Sequence, residues 1–542
     1  MKKMPDKSSF AETVSFESTR REFLVRATAA AVGTAIIPGA AAVGQNQQIP
    51  ASANHSGTVH IQVGKDVRHT MAGGAGASWH AIGPTAYFYG QNSRNAKGSG
   101  WGGNPPLEFL PEWGEGPPTG YRQQWDDLER HFQWLGLDFV RVELEMRMYE
   151  PEKGKFDWQN SEMKTLYRIL DICQQNHADV FLTQMWQDVA WNRIDGAARV
   201  NSAPKSVPDF ADGLGTLMEH LVHNKDYTCI HWLCIVNEPA DDWGWWLGPK
   251  KQPQDLMPAI RAVRAELDRR KIPVAISGPD FIYEDNLKSP IFDWDDPAVG
   301  AFDLHYYSEN DRISMDWIKP SLKKARARRI PIFLSEFGSF VGSNLDGSDP
   351  TMTVCADYPN QLFNAEKVLL GLNLGLDGFN RWSLTNRGDL DGNWQLVRTW
   401  DPIRWNYLPR VTPEPVPYYT YGILTRFIAK HSDILAIDLG SPQILASALL
   451  SPAGHLTVIV LNKSAQQEEI TLGIPEGRGK SDFYKYQVTE AAVKDSKYQM
   501  SPLASFQIHS TQMAISDKLP PKSITVYSNY HLSNDDPGIM TE

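Results

Sequence analysis

The chain has 542 residues, of which 42% are hydrophobic and 22% are charged, as in globular proteins rather than disordered or membrane proteins. Its length predicts two domains plus a leader. The net charge of −11 argues against a nucleic-acid partner, because phosphate binding requires a cationic face. The four cysteines have no metal-binding spacing, so we expect buried thiols or at most one disulfide, and neither a metal ion nor another cofactor.

The N-terminal segment resembles a twin-arginine export signal. Arg20 and Arg21 precede a mildly apolar run over residues 29–42. That run is too short and too rich in glycine and alanine for a membrane-spanning helix. We therefore predict a signal peptide and leader over residues 1–53, export to the periplasm or the extracellular space, and no membrane association of the mature chain.

Short apolar runs that are typical of strands then alternate with longer amphipathic runs that are typical of helices. The predicted strands are GGAGASWH, DFVRVELEM, DVFLTQMW, IHWLCIVNEP, PVAISGPD, FDLHYY, PIFLSEFG and DGFNRWSL. Eight strands alternating with helices predict an α/β fold, a (β/α)8 TIM barrel over residues 73–430. A doubly wound open sheet is the alternative, which the lack of an early G-x-G-x-x-G motif disfavours.

The pattern changes after residue 430, where short alternating strands follow one another without intervening helices. This predicts a C-terminal antiparallel β-sandwich over residues 431–542. A first strand within residues 54–72 has no place in the barrel, so we expect it to join that sandwich.

Two glutamates end predicted barrel strands, Glu238 after the fourth and Glu336 after the seventh. These strands face each other across a barrel, and catalytic residues of barrels lie at the carboxyl ends of strands. A carboxyl pair about 5–5.5 Å apart supports retaining glycoside hydrolysis, and a pair about 6.5–9.5 Å apart supports inversion. The sequence does not give this distance.

Five motifs occur in order on the predicted strands: VRVEL, IVNEP, DLHYY, LSEFG and NRW. They resemble the retaining glycoside hydrolases of clan A, and the barrel motifs are similar to the cellulase-like family 5. The GGAGAS start and the LPPKSITVYS ending look more like families 30 and 39, in which a β-sandwich accompanies the barrel.

The resemblance implies roles for individual residues. It makes Glu238 the acid/base and Glu336 the nucleophile. Asn237 matches the residue that binds the sugar 2-hydroxyl, Arg141 the arginine beside the nucleophile, and Tyr307 the tyrosine that donates to the nucleophile.

A second group of residues is expected to contact substrate, although each also has a plain structural interpretation. His305 precedes Tyr307 by two residues, and it could instead be a buried core histidine. Trp382 matches the aromatic platform beneath the sugar. Trp79 and Trp186 end strands and could line the sugar site, whereas Trp243 could stack on the leaving group or pack within its own loop.

These features predict a secreted retaining β-glycoside hydrolase that uses two glutamates and binds an oligosaccharide or polysaccharide. Two alternatives remain open: a non-catalytic carbohydrate-binding protein on the same fold, and a transglycosylase. The sequence leaves the sugar, the linkage and the oligomeric state undetermined.

Overall fold

The computed structural model describes most of the chain after the leader. The described residues are 57–81, 119–185, 187, 189–197, 202–240, 246–249, 252–282, 284–308, 310–342, 353–385, 394–401, 406–476, 482–508 and 513–539. The predicted export signal lies outside them. Among the described helices, none is long and apolar enough to cross a membrane.

A ring of parallel strands forms the first layer of the molecule. The strands are β2 (Ala75–Ala77), β3 (Trp79–His80), β4 (Phe139–Leu144), β5 (Asp179–Gln184), β6 (Ile230–Cys234), β7 (Ala275–Phe281), β8 (Ala301–Ser308), β9 (Ile332–Ser339) and β10 (Gly378–Arg381). Their order is β2-β10-β9-β8-β7-β6-β5-β4-β3. Because β2 and β3 are consecutive segments of the first predicted strand, the sheet nearly closes on itself. The predicted TIM barrel is confirmed and the open sheet is excluded.

Helices cover the outside of this ring. The described α-helices are α1 (Thr119–Leu135), α2 (Met146–Tyr149), α3 (Ser161–Gln175), α4 (Val207–Glu219), α5 (Met257–Arg269), α6 (Lys319–Arg328), α7 (Tyr358–Leu374), α8 (Pro415–Thr425) and α9 (Glu490–Lys494). Local sequence sets their ends: the Asn160 side chain accepts from Met163 N at the start of α3, and Gly375 (φ +96°) ends α7.

The barrel interior changes character from base to mouth. At the base, Phe139, Phe181, Trp232 and Phe333 form one apolar cluster. Higher up, the strand positions that face inward carry polar and charged side chains such as Arg141, which is fully buried. The interior is therefore a packed apolar base beneath a polar mouth, and the mouth lies at the carboxyl ends of the strands.

A second sheet follows the barrel in sequence. Its strands are β1 (Val59–Thr70), β13 (Asp433–Leu439), β14 (Ile444–Leu450), β15 (Leu456–Asn462), β16 (Glu468–Gly473), β17 (Asp482–Val488), β18 (Ala504–Gln507), β19 (Ala514–Leu519) and β20 (Ser523–Ser528). Their order is β18-β17-β20-β15-β14-β13-β1-β16-β19. All neighbours pair antiparallel except β1 and β16, which are parallel. The hairpin of β11 (Val397–Asp401) and β12 (Asn406–Pro413) forms a separate two-stranded sheet.

The second sheet has two buried faces. Alternate residues of β14, Ala446 and Ala448, share an apolar cluster with residues of β1, β16 and β19, so the sheet folds over into two layers. The intervening Leu445 and Leu449 belong to the cluster that includes the barrel helices. The Ser447 hydroxyl donates to Leu369 O on α7 at 3.1 Å. The sandwich thus packs directly against the barrel.

The four cysteines, Cys173, Cys229, Cys234 and Cys355, are buried and free. The predicted buried thiols are therefore confirmed, and the disulfide considered as an alternative is not formed.

Candidate active site

Backbone irregularities direct both glutamates into the barrel mouth. Along β8 and β9, Leu304 pairs with Leu334 but His305 pairs with Glu336, so β9 contains one extra residue, Ser335. Such a bulge shifts the alternation of side chains, which lets Ser335 and Glu336 both face inward. Glu238 follows β6 and has φ +43°, a left-handed conformation that costs about 1 kcal/mol or more in a non-glycine residue.

Glu336 lies among hydrogen-bond donors. Its Oε2 accepts from Arg141 Nη1 at 2.7 Å and its Oε1 accepts from the Tyr307 hydroxyl at 2.6 Å. The residue is only 1% exposed. Two donors and one full positive charge favour the ionised carboxylate and fix its orientation.

Glu238 has a different partner. Its Oε1 shares a hydrogen bond with His305 Nδ1 at 2.9 Å. His305 Nε2 lies 2.8 Å from Oδ1 of Asp280, a residue of β7. Burial lowers the pKa of His305, but the charges of Asp280 and Glu336 and the contacts with Asp280 and Glu238 outweigh burial and raise it to about 10. His305 is therefore a cation at neutral pH.

Arg141 connects the residues of the mouth. Its guanidinium donates to Glu336, to Glu143 and to Asn237 Oδ1, the last at 2.6 Å, and lies 3.0 Å from Asp280 Oδ2. Burial opposes its charge, yet these carboxylates raise its pKa above the usual value. Arg141 uses Asn237 Oδ1, and no described contact uses the amide NH2 of Asn237, which can therefore donate to a ligand.

Two buried aspartates were missed by the sequence analysis. Asp280 contacts both His305 and Arg141, and its backbone N–H donates to Asp303 Oδ1 at 2.7 Å. Burial raises the pKa of Asp280, but the charges of His305 and Arg141 dominate and lower it. Burial and the charge of Asp280 raise the pKa of Asp303 to about 7. Asp280 is the last residue of the predicted strand PVAISGPD, and nothing in that pattern indicates an inward carboxylate.

The first strand adds a further histidine. His80 Nδ1 lies 2.6 Å from Oε2 of Glu143, which also pairs with Arg141. The His80 ring contacts the Trp382 ring edge-on, with the centroids 4.8 Å apart. Trp382 is 1% exposed and is joined to Ser383 by a cis peptide bond. The predicted platform therefore borders the mouth beside His80.

The other predicted tryptophans do not join this group. Trp79 is fully buried and packs against Trp125 and Phe132 of α1. Consecutive strand residues point to opposite faces, so Trp79 faces the helix layer when His80 faces inward. This location favours a core role for Trp79 over sugar contact. Trp186 and Trp243 lie outside the described residues.

A tryptophan from the long connection after β10 approaches the site unexpectedly. Trp394 packs against Tyr307, with ring centroids 5.5 Å apart and the planes at 83°. Its carbonyl accepts from Arg381 Nη1 at 2.7 Å. Trp394 thus supports the tyrosine that donates to Glu336. Its loop sequence has no periodicity that could have indicated this position.

Two groups of side chains have a spacing that a metal ion could use. Glu238, His305 and Glu336 offer atoms within 4.8 Å of one another, and so do Cys234, Asp280 and Asp303. A protonated His305 cannot ligate a metal, and the positive charge of Arg141 opposes cation binding at either group. Burial also raises the pKa of the Cys234 thiol well above its usual value, which disfavours a thiolate ligand.

Sequence and structure comparisons agree with this geometry. Residues 103–367 match the model of the cellulase family, glycosyl hydrolase family 5. No curated protein sequence matches the chain. Among solved structures, a family 30 endoxylanase from Clostridium papyrosolvens is 13% identical, with a TM-score of 0.56, and the match covers 87% of this chain and 99% of that one.

Two further structures share the fold. The endo-β1,6-glucanase BT3312 is 12% identical with a TM-score of 0.57, and the match covers 86% of this chain and 93% of that one. A conserved exported protein from Bacteroides fragilis is 12% identical with a TM-score of 0.57, covering 86% and 99% of the two chains. At these identities the likeness establishes the fold alone. The match of residues 103–367 to the family 5 cellulase model and the barrel-plus-sandwich fold agree with the resemblance drawn from the motifs: the chain is a glycosidase that is similar to the enzymes of clan A.

Proposed function

We propose that the chain is a secreted retaining β-glycoside hydrolase that cleaves O-glycosidic bonds of a β-linked glycan through a covalent glycosyl-enzyme intermediate. The observation that carries this proposal is the spacing of the two glutamates. An oxygen of Glu238 and an oxygen of Glu336 lie within 4.8 Å of each other. Inverting enzymes need about 6.5–9.5 Å to admit a water between the carboxyl groups, whereas retaining enzymes hold them about 5–5.5 Å apart.

The surroundings of each glutamate support its role. Glu336 is held by Arg141 and Tyr307 as an oriented anion, which is the form that attacks the anomeric carbon. Glu238 shares a hydrogen bond with the protonated His305 and has no arginine contact among the described interactions, so a proton held by this pair can pass through Glu238 to the leaving group.

The reaction follows from these positions. Glu238 protonates the glycosidic oxygen as Glu336 forms the ester, and the leaving sugar departs. Glu238 has then given its proton to the leaving sugar and is a carboxylate, and the ester has removed the negative charge of Glu336 that would repel this carboxylate, so Glu238 can act as the base. Glu238 then accepts a proton from water as that water attacks the anomeric carbon, and Glu336 is released. The amide of Asn237 is available to hold the sugar 2-hydroxyl throughout.

Substrate contacts beyond the glutamates are part of the same proposal. Trp382 borders the mouth and offers an aromatic ring beneath a sugar in the cleavage site. Trp186 and Trp243 follow β5 and Glu238 in the chain and are proposed to extend this binding surface. The class of ligand is an oligosaccharide or polysaccharide.

The test of the two roles is chemical rescue. Glu336→Ala and Glu238→Ala chains are assayed with 2,4-dinitrophenyl β-glycosides, with and without sodium azide. The Glu336→Ala chain is expected to form an α-glycosyl azide and the Glu238→Ala chain a β-glycosyl azide. Glu145→Ala is the matched control: Glu145 is also a fully buried glutamate, follows β4 and pairs with Arg147, so azide should leave its rate unchanged.

Two results would contradict the proposal. A parent chain that is inactive on every β-glycoside of a panel of sugars would exclude the proposed β-glycoside hydrolase activity. A Glu336→Ala chain with the parent's rate would exclude Glu336 as the nucleophile.

We also propose export by the twin-arginine route to the periplasm or the extracellular space. The support is the Arg20-Arg21 pair before the apolar run at residues 29–42. An Arg20→Lys, Arg21→Lys chain is expected to remain in the cytoplasm of a host with this pathway. Normal export of that variant would contradict the route.

A further inference from the structure

We propose that Asp280 is a positioning residue for the acid/base: it holds His305 so that Nδ1 shares a proton with Glu238. The inference rests on the proposed function, because it assigns a partner to the glutamate that protonates the leaving group. It adds a third member to the Glu238–His305 pair. Asp280 itself touches neither glutamate side chain in the described contacts and acts through its neighbours.

The backbone around Asp280 is built to present this side chain. Pro279 pairs with Asp303 and Phe281 pairs with Leu304, so Asp280 is the extra residue of a bulge between β7 and β8. Its φ is +60°, in the left-handed region. Bulges turn one side chain away from the strand alternation and are frequent beside active sites. Here the turned side chain is the carboxylate that meets His305.

Glu238 shows a matching irregularity on the other side of the imidazole. Its φ of +43° is also left-handed, and its backbone N–H donates to Asp280. The two acids on either side of His305 are thus both held in conformations that cost energy for non-glycine residues. Such strain is maintained where the surrounding contacts require one side-chain arrangement.

The contacts of Asp280 fix the orientation of the histidine ring. Asp280 Oδ1 lies 2.8 Å from His305 Nε2, and the Ser335 hydroxyl donates to the same oxygen at 3.3 Å. Oδ2 lies 3.0 Å from Arg141 Nη2. A carboxylate anchored at both oxygens keeps the proton of His305 on Nε2, and Nδ1 therefore faces Glu238 with a proton that the pair can share.

The charges around the imidazole determine how many protons the Glu238–His305 pair holds. The ionisable groups that interact with His305 are Asp280, Glu238, Glu336 and Asp303, and Arg141 and Cys234 lie near Asp280. Asp280 supplies a permanent negative charge that is 0% exposed, so its effect is little screened by solvent. With this charge beside it, the Glu238–His305 pair can hold one proton more than it would hold without Asp280. This is the proton that the glycosidic oxygen of the leaving group receives from Glu238. Water restores it when Glu238 acts as base.

A purely structural role for Asp280 predicts a different phenotype. Loss of a buried ion-pair partner would weaken the fold and slow all substrates alike. Loss of a positioning residue for the acid would slow substrates in proportion to their need for protonation. Phenyl glycosides have a basic leaving group and need the acid, whereas 2,4-dinitrophenyl glycosides leave without it.

The experiment compares these two leaving groups on Asp280→Asn. The sugar is the one that the parent cleaves fastest in a panel of β-glucosides, β-xylosides, β-mannosides and β-galactosides. We expect kcat/KM for the phenyl glycoside to fall about 10²-fold or more, and that for the dinitrophenyl glycoside to fall less than about tenfold. Asp138→Asn is the matched control, because Asp138 is also a fully buried aspartate but accepts from the backbone N–H groups of Ala75 and Lys430, and it should keep the parent's ratio between the two substrates.

Two further readouts separate action through His305 from a structural effect. First, removing the anion should shift the basic limb of the kcat/KM profile of Asp280→Asn to lower pH by about one unit. Second, His305→Gln should show the same leaving-group pattern, and the double variant should lose little beyond His305→Gln alone. If Asp280→Asn does not fold, NMR of the imidazole ¹⁵N nuclei of His305 in the parent protein replaces this test. We then expect Nε2 to stay protonated from pH 5 to 9.

Equal losses on both leaving groups, fully additive losses in the double variant, or an unprotonated Nε2 in the parent would each overturn the inference. The proposed function would survive all three results. Conversely, an inactive parent, or failed azide rescue at Glu238 and Glu336, would overturn the proposed function before Asp280 is considered.

Discussion

The base and the mouth of the barrel are lined by the same strands, yet they are held together in opposite ways. At the base, Phe333 lies 4.8 Å from both Phe139 and Trp232, measured between ring centroids. At the mouth, Arg141 is surrounded by carboxylates and an amide. Each apolar contact adds its own contribution to the free energy of unfolding. Buried charges compensate one another only when every partner is present, because removing one leaves the others buried and unpaired. Stability can therefore be lost at the base without loss of chemistry, but not at the mouth.

The largest effect is expected from Arg141→Met. It leaves Glu143, Asp280 and Glu336 buried without their shared cation, which should cost about 3–5 kcal/mol in the free energy of unfolding. The nucleophile also loses a charged donor, so kcat/KM should fall by about 10³-fold. Urea unfolding and steady-state kinetics measure both.

Arg147→Met is the matched control for that substitution. Arg147 is an arginine just beyond β4 that pairs with Glu145 and Glu162 and is partly exposed. Its loss should change kcat/KM by less than about threefold. Equal losses for the two arginines would contradict the view that the mouth depends on Arg141 as its common partner.

Phe333→Ala tests the base. Removing a fully buried ring should cost about 3–5 kcal/mol of unfolding free energy. Because no mouth residue contacts this ring among the described aromatic pairs, kcat/KM should stay within about threefold at temperatures where the variant is folded. A large fall in kcat of the folded variant would show that base and mouth are coupled.

Lys367→Met tests the support that the helix layer gives to the strand ends at the mouth. Lys367 is fully buried on α7, and burial lowers its pKa well below the usual value. Its Nζ donates to Gly338 O, to Ser339 Oγ at 3.0 Å and to Tyr306 O at 3.3 Å. Loss of this donor should cost about 1–3 kcal/mol. Because Gly338 lies two residues after Glu336, kcat should also fall, by about tenfold or less, whereas unchanged kcat would assign Lys367 to stability alone.

The smallest effect is a pH dependence at the base. Asp138 is fully buried and accepts from the backbone N–H groups of Ala75 and Lys430, and burial raises its pKa to about 8. A carboxyl whose pKa is raised on folding contributes stability at low pH, and that contribution is lost as the pH rises from about 4 through about 8. Calorimetry should give a parent Tm that falls by a few degrees more over this range than the Tm of Asp138→Asn. Parallel curves would contradict the assignment.

Much of this architecture could be predicted because its strands correspond to patterns of apolar and polar residues that are local in the sequence. Buried parallel strands are near-continuous apolar runs, so all eight barrel strands could be found, and polar residues at their ends marked Glu238 and Glu336. The alternation of strand side chains also predicts that the adjacent residues Trp79 and His80 do not both face the mouth, which agrees with the packing of Trp79 against α1.

The remaining site residues depend on features that have no sequence period. Asp280 reaches His305 through a one-residue bulge, and Ser335 creates a second bulge that turns Glu336 inward. Trp394 comes from a long connection and is held by Arg381. Bulges and loop contacts are decided by tertiary packing, so no local pattern predicted them.

The position of β1 has a consequence for how the chain can be divided. β1 precedes the barrel in the chain, but it lies between β13 and β16 in the second sheet, where Ile61 pairs with both Leu439 and Leu472. A barrel expressed without the sandwich would expose an unpaired strand with two open edges, and a sandwich expressed alone would lack one of its inner strands. The two parts are therefore not interchangeable modules: in any shuffling or truncation of this enzyme, they must be inherited together.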